Sequence, residues 1–155
     1  MEPKIFAAMS NIMAEVEPIA KGRKNLLQNY QFRGIDDIYN SLNKILAKHG
    51  VFTVSTILNH QREERQSNKG GTLIYSILHI RFTFFAVDGS NVNTETIGEG
   101  MDSGDKASNK GMSAAHKYAL LQAFCIPTDE DKDSENDSPE LASQKSKEFE
   151  HKQKF

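Results

Sequence analysis

The chain is short of cysteine, of long apolar runs and of net charge, and each shortage closes off a class of protein. Its one cysteine, Cys125, can form no internal disulfide, and with His49, His60, His79, His116 and His151 widely spaced there is no zinc-ligand pattern. No apolar stretch approaches the roughly 20 residues of a membrane-spanning helix. Glu2, Asn11, Glu15 and Glu17 interrupt the N-terminal segment, so no secretory leader is expected and the chain reads as a soluble, cytoplasmic protein. A Gly-x-x-x-x-Gly-Lys-Ser/Thr loop is missing too. Gly104-Asp105-Lys106 lacks the spacing and order that cradle a triphosphate, which disfavours nucleotide-driven work. The expectation is no cofactor and no metal.

The net charge of -2 averages two unlike parts. From Asp129 to Phe155 nine carboxylates face five lysines, leaving fourteen basic and twelve acidic residues from Met1 to Thr128. With 155 residues in all, this fits one domain over residues 1–128 and an acidic tail over 129–155. The tail has few apolar residues and no sustained period, the composition of a disordered segment. Since the domain is only mildly basic, any site for a polyanion must concentrate its cations locally.

Ile5, Met9, Ile12/Met13, Val16 and Ile19/Ala20 recur every three or four positions, predicting an amphipathic helix over Ile5–Lys21 that Pro18 kinks or ends. Lys21, Arg23, Lys24 and Arg33 then flank a segment in which Tyr30 and Phe32 stand among polar residues. Cations for phosphates and rings for base stacking are what a single nucleic-acid strand uses, although a loop pinned to the core by two aromatics has the same composition. A second helix is expected to start at Gly34 with Asp36 or Asp37, to carry an apolar face through Ile38, Leu42 and Leu46, and to stop at Gly50.

The next stretch changes period. Val51–His60, Thr72–Val87 and Asn91–Ile97 read as strands, with Asp88-Gly89-Ser90-Asn91 as a tight turn, so three antiparallel strands follow one another in a meander. In the long strand Ile74, Leu78, Ile80, Phe82 and Phe84 share the side expected to bury, while Tyr75, His79, Arg81 and Thr83 share the other. That second face is either a binding wall or an ordinary solvated sheet surface. Arg62, Arg65 and Lys69, set against Glu63 and Glu64, form a charged hairpin end suited to phosphate contact or to a neighbouring subunit.

Beyond the strands, Gly98, Gly100 and Gly104 are expected to form a turn needing glycine's conformational freedom, with Asp102 or Ser103 capping a helix from Asp105 to Phe124. At 100° per residue, Lys106, Lys110 and Lys117 fall within about 40° of one another, with Asn109 and Ser113 beside them. Such a stripe suits a phosphate backbone, but three lysines alone are as well explained as a solvated helix face.

The stripe does not stand alone. Gly98-Glu99-Gly100-Met101-Asp102-Ser103-Gly104-Asp105-Lys106-Ala107, then Lys110, then Lys117-Tyr118-Ala119-Leu120, then Phe124-Cys125-Ile126-Pro127-Thr128 resembles the signature of the ERF family of single-strand annealing proteins of phages and prophages. Tyr30, Phe32, Gly34, Ile35, Asp36, Asp37 and Ile38, with Leu46, Lys48, His49, Gly50 and Val51, also resemble that family, so the likeness covers roughly Phe6 to Asp131. Gly111 departs from it, alanine being expected, and is predicted to loosen the helix by about 1 kcal/mol. The resemblance implies binding of single-stranded DNA, annealing without nucleotide hydrolysis, assembly into homo-oligomeric rings or filaments, and work in the bacterial host cytoplasm. A further recombination or single-strand-binding protein is a candidate partner for the tail.

Glu99, Asp102 and Asp105 also lie close enough in sequence to raise a Mg²⁺-dependent nuclease, yet the same carboxylates fit a capped turn at a helix N-terminus. A structural or adaptor oligomerisation module is the other alternative, with the acidic turn of one subunit meeting a lysine of the next. The reading is therefore a non-enzymatic DNA-binding protein of α+β class: an antiparallel three-stranded β-meander packed on a long helix, with N-terminal helices and the acidic tail. Its DNA-binding residues are expected to be Lys106, Lys110 and Lys117, extended by Arg81, Arg62 and Arg65, with Tyr75, Tyr30, Phe32 and Arg33 in support.

Overall fold

A computed structural model of the protein describes residues 1–19, 23–25, 30–32 and 34–127, with the side chains of residues 23–25 and 30–32 not described. The acidic tail and Arg33 lie outside the described residues. Within them the chain is α+β, with three helices and a three-stranded antiparallel sheet.

Helix α1 spans Lys4–Glu15 and buries Ile5 and Ile12, one turn-pair apart on the same face. It ends earlier than expected. Val16 is already extended, two residues before Pro18, so the helix stops before it meets the proline ring. Strands β1, Arg23–Asn25, and β2, Tyr30–Phe32, pair as a short antiparallel ribbon with Arg23 opposite Phe32, where the sequence had left a loop open. Helix α2 covers Ile35–Lys48; the Gly34 amide donates to Asp37 Oδ2 at 3.0 Å, and Ile38 and Leu42 are buried. It stops at Gly50, whose φ of 66° is the left-handed geometry of a helix C-cap, while Val51 N donates back to the Leu46 carbonyl at 2.9 Å. Glu15 accepts from both Lys48 and His49, pinning α1 to the end of α2.

Strands β3 (Phe52–Gln66), β4 (Thr72–Phe85) and β5 (Asn91–Asp102) form a sheet in the order β3-β4-β5. Gly89, at φ 82°, turns the chain between β4 and β5, and β3 shifts register at Leu58. Along β4 burial alternates as the sequence period requires: Ser76, Leu78, Ile80, Phe82 and Phe84 are buried, whereas Tyr75, Ile77, His79 and Arg81 are half-buried. Ser76, a polar residue on the buried side, meets the Ser108 hydroxyl at 3.1 Å.

Helix α3, Ala107–Ala123, lies against the buried face of β4 and β5. Ala107, Gly111, Ala115 and Ala119, four residues apart, form its inner face, and Thr96 donates from β5 to the Ala115 carbonyl at 2.7 Å. The core joins this face to Leu78, Ile80, Phe82 and Phe84 of β4, to Ile5, Ile12, Ile38 and Leu42 from α1 and α2, and to Phe124. Each fully buried Leu, Ile or Phe stabilises the fold by about 1.5–3 kcal/mol relative to leaving it exposed.

Two glycines act differently from expectation. Gly98 and Gly100 are not turn residues: they lie inside β5, which runs on to Asp102, and neither has a positive φ. Their lack of a side chain serves close approach instead. A Cβ on Gly98 would collide with the Gly111 carbonyl and come within 2.7 Å of the Ala115 backbone nitrogen, and one on Gly100 would strike the Ala107 carbonyl. Gly111 belongs to the same contact, since a Cβ there would meet Leu78 Cδ1 at 2.5 Å. The glycine that seemed only to weaken the helix lets its backbone sit down on the strand.

Candidate nucleic-acid interface

With its inner face flush against β5, α3 projects its polar side outward. Lys106, Asn109, Lys110, Ser113 and Lys117, with Ala114, line a groove of ≈ 430 Å³ whose other wall is Gly34 and Ile35 at the start of α2. The residues that the helical period grouped on one stripe are therefore together in space, and α2 turns the stripe into a groove. Lys117 Nζ stands 4.9 Å from the centre of the Tyr118 ring, a cation–π distance.

The loop leading into α3 is organised by one carboxylate. Asp102 Oδ2 accepts from the amides of Gly104 at 3.0 Å and Lys106 at 3.3 Å, and Oδ1 pairs with Lys110 Nζ at 2.8 Å. Lys110 Nζ also donates to the Met101 carbonyl at 3.1 Å. The Lys110 ammonium, followed by the amides of Gly104 and Lys106, holds the Asp102 carboxyl below its ordinary value. Asp102 thus anchors the loop, and α3 starts at Ala107 with Lys106 as an N-cap that makes no side-chain cap hydrogen bond.

The other expected site residues stand elsewhere. Register pairs Arg81 with Glu95 and Tyr75 with Glu63, on the sheet face opposite α3. There Arg81 donates to Glu95 Oε1 through Nε at 3.1 Å and through a terminal nitrogen at 2.9 Å, while His79 Nε2 lies 2.8 Å from Glu95 Oε2. Arg81 and His79 hold Glu95 below the usual carboxylate range. Arg65 shares that face: its guanidinium is 4.6 Å from the centre of the Tyr75 ring and 2.9 Å from Glu63. Arg62, registered with Ser76, belongs to the α3 side. Because the pleat sends alternate residues to opposite faces, Arg81, Arg65 and Tyr75 are not brought together with Lys106, Lys110 and Lys117. Tyr30 and Phe32 lie in β2, with side chains outside the described set.

Glu95 escaped the sequence reading, yet a signal for it existed. The tight turn at Asp88–Gly89 fixes the register of β4 against β5, and that register sets Glu95 directly opposite Arg81. Glu99, Asp102 and Asp105 do not gather: among the described residues no group of three or more His, Cys, Asp or Glu is arranged to hold a metal ion. Among the described residues, too, no helix is long and apolar enough to cross a membrane.

A sheet backed by a close-set helix, with lysines of that helix lining a groove, defines an α+β fold. The chain belongs to the ERF superfamily, whose family model matches residues 5–154. That family is known for phage recombination proteins that anneal single strands. A search of curated proteins found no match.

Proposed function

We propose that this protein binds single-stranded DNA along the groove between α2 and α3 and anneals complementary strands in phage recombination, without hydrolysing a nucleotide and as a homo-oligomeric ring or filament. The observation that carries the reading is the convergence of Lys106, Lys110, Lys117, Asn109 and Ser113 on one groove in a member of the ERF superfamily. Ammonium groups neutralise phosphates, and the amide of Asn109 and hydroxyl of Ser113 supply hydrogen bonds to the backbone. Contacts of this kind ignore base identity and leave base edges free to pair. Arg33, next to Gly34 in the chain, extends the track together with Arg62, and Tyr30 and Phe32 support bases. Arg81, Arg65 and Tyr75 contribute little, because they occupy the opposite face and their cations already meet carboxylates. The protein acts in the host cytoplasm, and its tail recruits a further recombination or single-strand-binding protein.

Annealing of two complementary labelled oligonucleotides by the purified protein, without nucleotide and in EDTA, tests the reading. Acceleration is expected, with single-strand affinity falling by about 0.7 log units per neutralised phosphate for each decade of salt. No acceleration and no single-strand binding would sink it and leave an assembly module as the better account.

A further inference from the structure

The residues lining the groove between α2 and α3 include three lysines and no carboxylate. Lys106 and Lys110 are about 6 Å apart along the helix axis, and Lys110 and Lys117 about 10 Å. A row of cations so spaced accepts any row of anions that reaches it, and the chain carries one of its own. Past α3 the backbone is held in place, since Phe124 and Ile126 are buried and the Ile19 amide donates to the Pro127 carbonyl at 3.3 Å. Residues 128–155 lie outside the described set, but in sequence Asp129, Asp131, Asp133, Glu135 and Asp137 occupy every second position. The residues between them, Glu130, Lys132, Ser134 and Asn136, hold one acid and one base. An extended chain puts alternate residues on one side, so the five carboxylates would line up about 6.7 Å apart with little charge behind them. Asp, Ser and Asn are poor helix formers and Pro139 follows, a composition that favours the extended form over a helix.

We propose that the segment from Asp129 to Asp137 lies extended in the lysine groove of its own chain, and that single-stranded DNA displaces it to bind. The inference rests on the reading of that groove as the strand site. Reach permits the contact: Ala123 is about 26 Å along the axis from Lys106, and the ten residues from Thr128 to Asp137 span up to about 35 Å. The other cluster of bases offers the row less, because Arg65 and Arg81 on the far face of the sheet already meet Glu63 and Glu95. Each exposed lysine–carboxylate contact is weak, but a tether this short holds the row at an effective concentration on the order of millimolar. A strand with many phosphates displaces it, whereas a short or sparsely charged anion does not. The segment thus sets a threshold for entry to the groove. Filling the groove about nine-tenths of the time lowers the apparent affinity for a strand about tenfold.

The test uses the full-length protein and a zero-length carbodiimide, which joins a carboxylate to an ammonium group in contact with it. Peptide mapping is expected to find Lys106 or Lys117 coupled to the Asp129–Asp137 segment, beside the Asp102–Lys110 product that a 2.8 Å pair must give. Addition of a labelled oligothymidine is expected to abolish the first product. Asp102–Lys110 coupling with none from the segment to a groove lysine would overturn the proposal, as would segment coupling that persists with the strand bound. Coupling between isotopically heavy and light chains in a mixture would assign the segment to a neighbouring copy and overturn the own-chain contact. In parallel, Asp129→Asn, Asp131→Asn, Asp133→Asn, Glu135→Gln and Asp137→Asn are combined, and oligothymidine affinity is expected to rise about tenfold at low salt and to converge with the parent at high salt. A second variant, Glu130→Gln with Glu140→Gln, Glu148→Gln and Glu150→Gln, is expected to stay close to the parent. Equal gains from both variants would reveal unspecific repulsion, and no gain from the first would show an open groove; either overturns the proposal. Failure of the parent and both variants to bind oligothymidine would instead sink the single-strand reading, while the coupling products report on the segment without DNA.

Discussion

The lysines along α3 and the basic side chains on the far face of the sheet are similar in number, but their surroundings differ. On the sheet, Arg81 and His79 converge on Glu95, and Arg65 is held between Glu63 and the ring of Tyr75. On the helix, Lys110 meets Asp102, while no described carboxylate pairs with the Lys106 ammonium. Phosphate can displace one exposed ion pair at modest cost, since such pairs contribute only about 0–1 kcal/mol. It gains less from an arginine that already donates twice to one carboxylate oxygen. A basic residue is therefore worth little as a phosphate ligand until its own neighbours have been counted.

The comparison breaks most completely if the platform under the lysines is removed. Gly98→Ala forces a methyl into the backbone of α3 and is expected to destabilise the domain by about 3 kcal/mol, at the upper end of overpacking costs, read as a fall in the urea midpoint. Next in size is Lys106→Glu with Lys110→Glu, expected to weaken single-strand binding about tenfold or more at low salt, roughly 1.4 kcal/mol, and to flatten the salt dependence. An affinity unmoved by that double reversal would take the groove out of the binding site. Arg81→Ala sharpens the contrast from the other side: its expected effect on affinity is less than about twofold, because Glu95 already occupies the guanidinium. Were it as damaging as the lysine reversal, the far face would be the DNA surface.

The smallest expected effect is a pH dependence of stability set by His116. Its ring stacks on Phe82 at 4.7 Å between centroids and bonds the Tyr39 hydroxyl, and burial holds it below its ordinary value of 6.5. The unfolded chain therefore binds this proton more readily than the folded one. Stability is full above pH 6.5 and declines as pH falls through the lower folded value. His116→Gln is expected to remove that slope from thermal melts recorded between pH 7 and pH 5, and a slope retained by the variant would assign it to another group.

Much of this was legible in the chain. Apolar spacing gave α2 and its stop at Gly50, and the alternation of Leu78, Ile80, Phe82 and Phe84 marked the buried side of β4. The helical period grouped Lys106, Lys110 and Lys117 before any contact was known. The β1–β2 ribbon was not legible, because strands of three residues carry too few side chains to establish a period. The glycines of the signature were misread for a different reason. Conformational freedom and close approach call for the same residue, and only the partner backbone tells them apart.

By itself the sequence determined the period of each main element, the family, and which cations share one helix face, because these depend on neighbours three or four residues away. The tertiary structure decided that α3 sits close enough on β5 for Gly98, Gly100 and Gly111 to be required, that α2 closes the lysine stripe into a groove, and that Glu95 occupies Arg81. Those outcomes depend on pairs far apart in the chain, whose meeting is fixed by sheet register and helix packing rather than by local pattern.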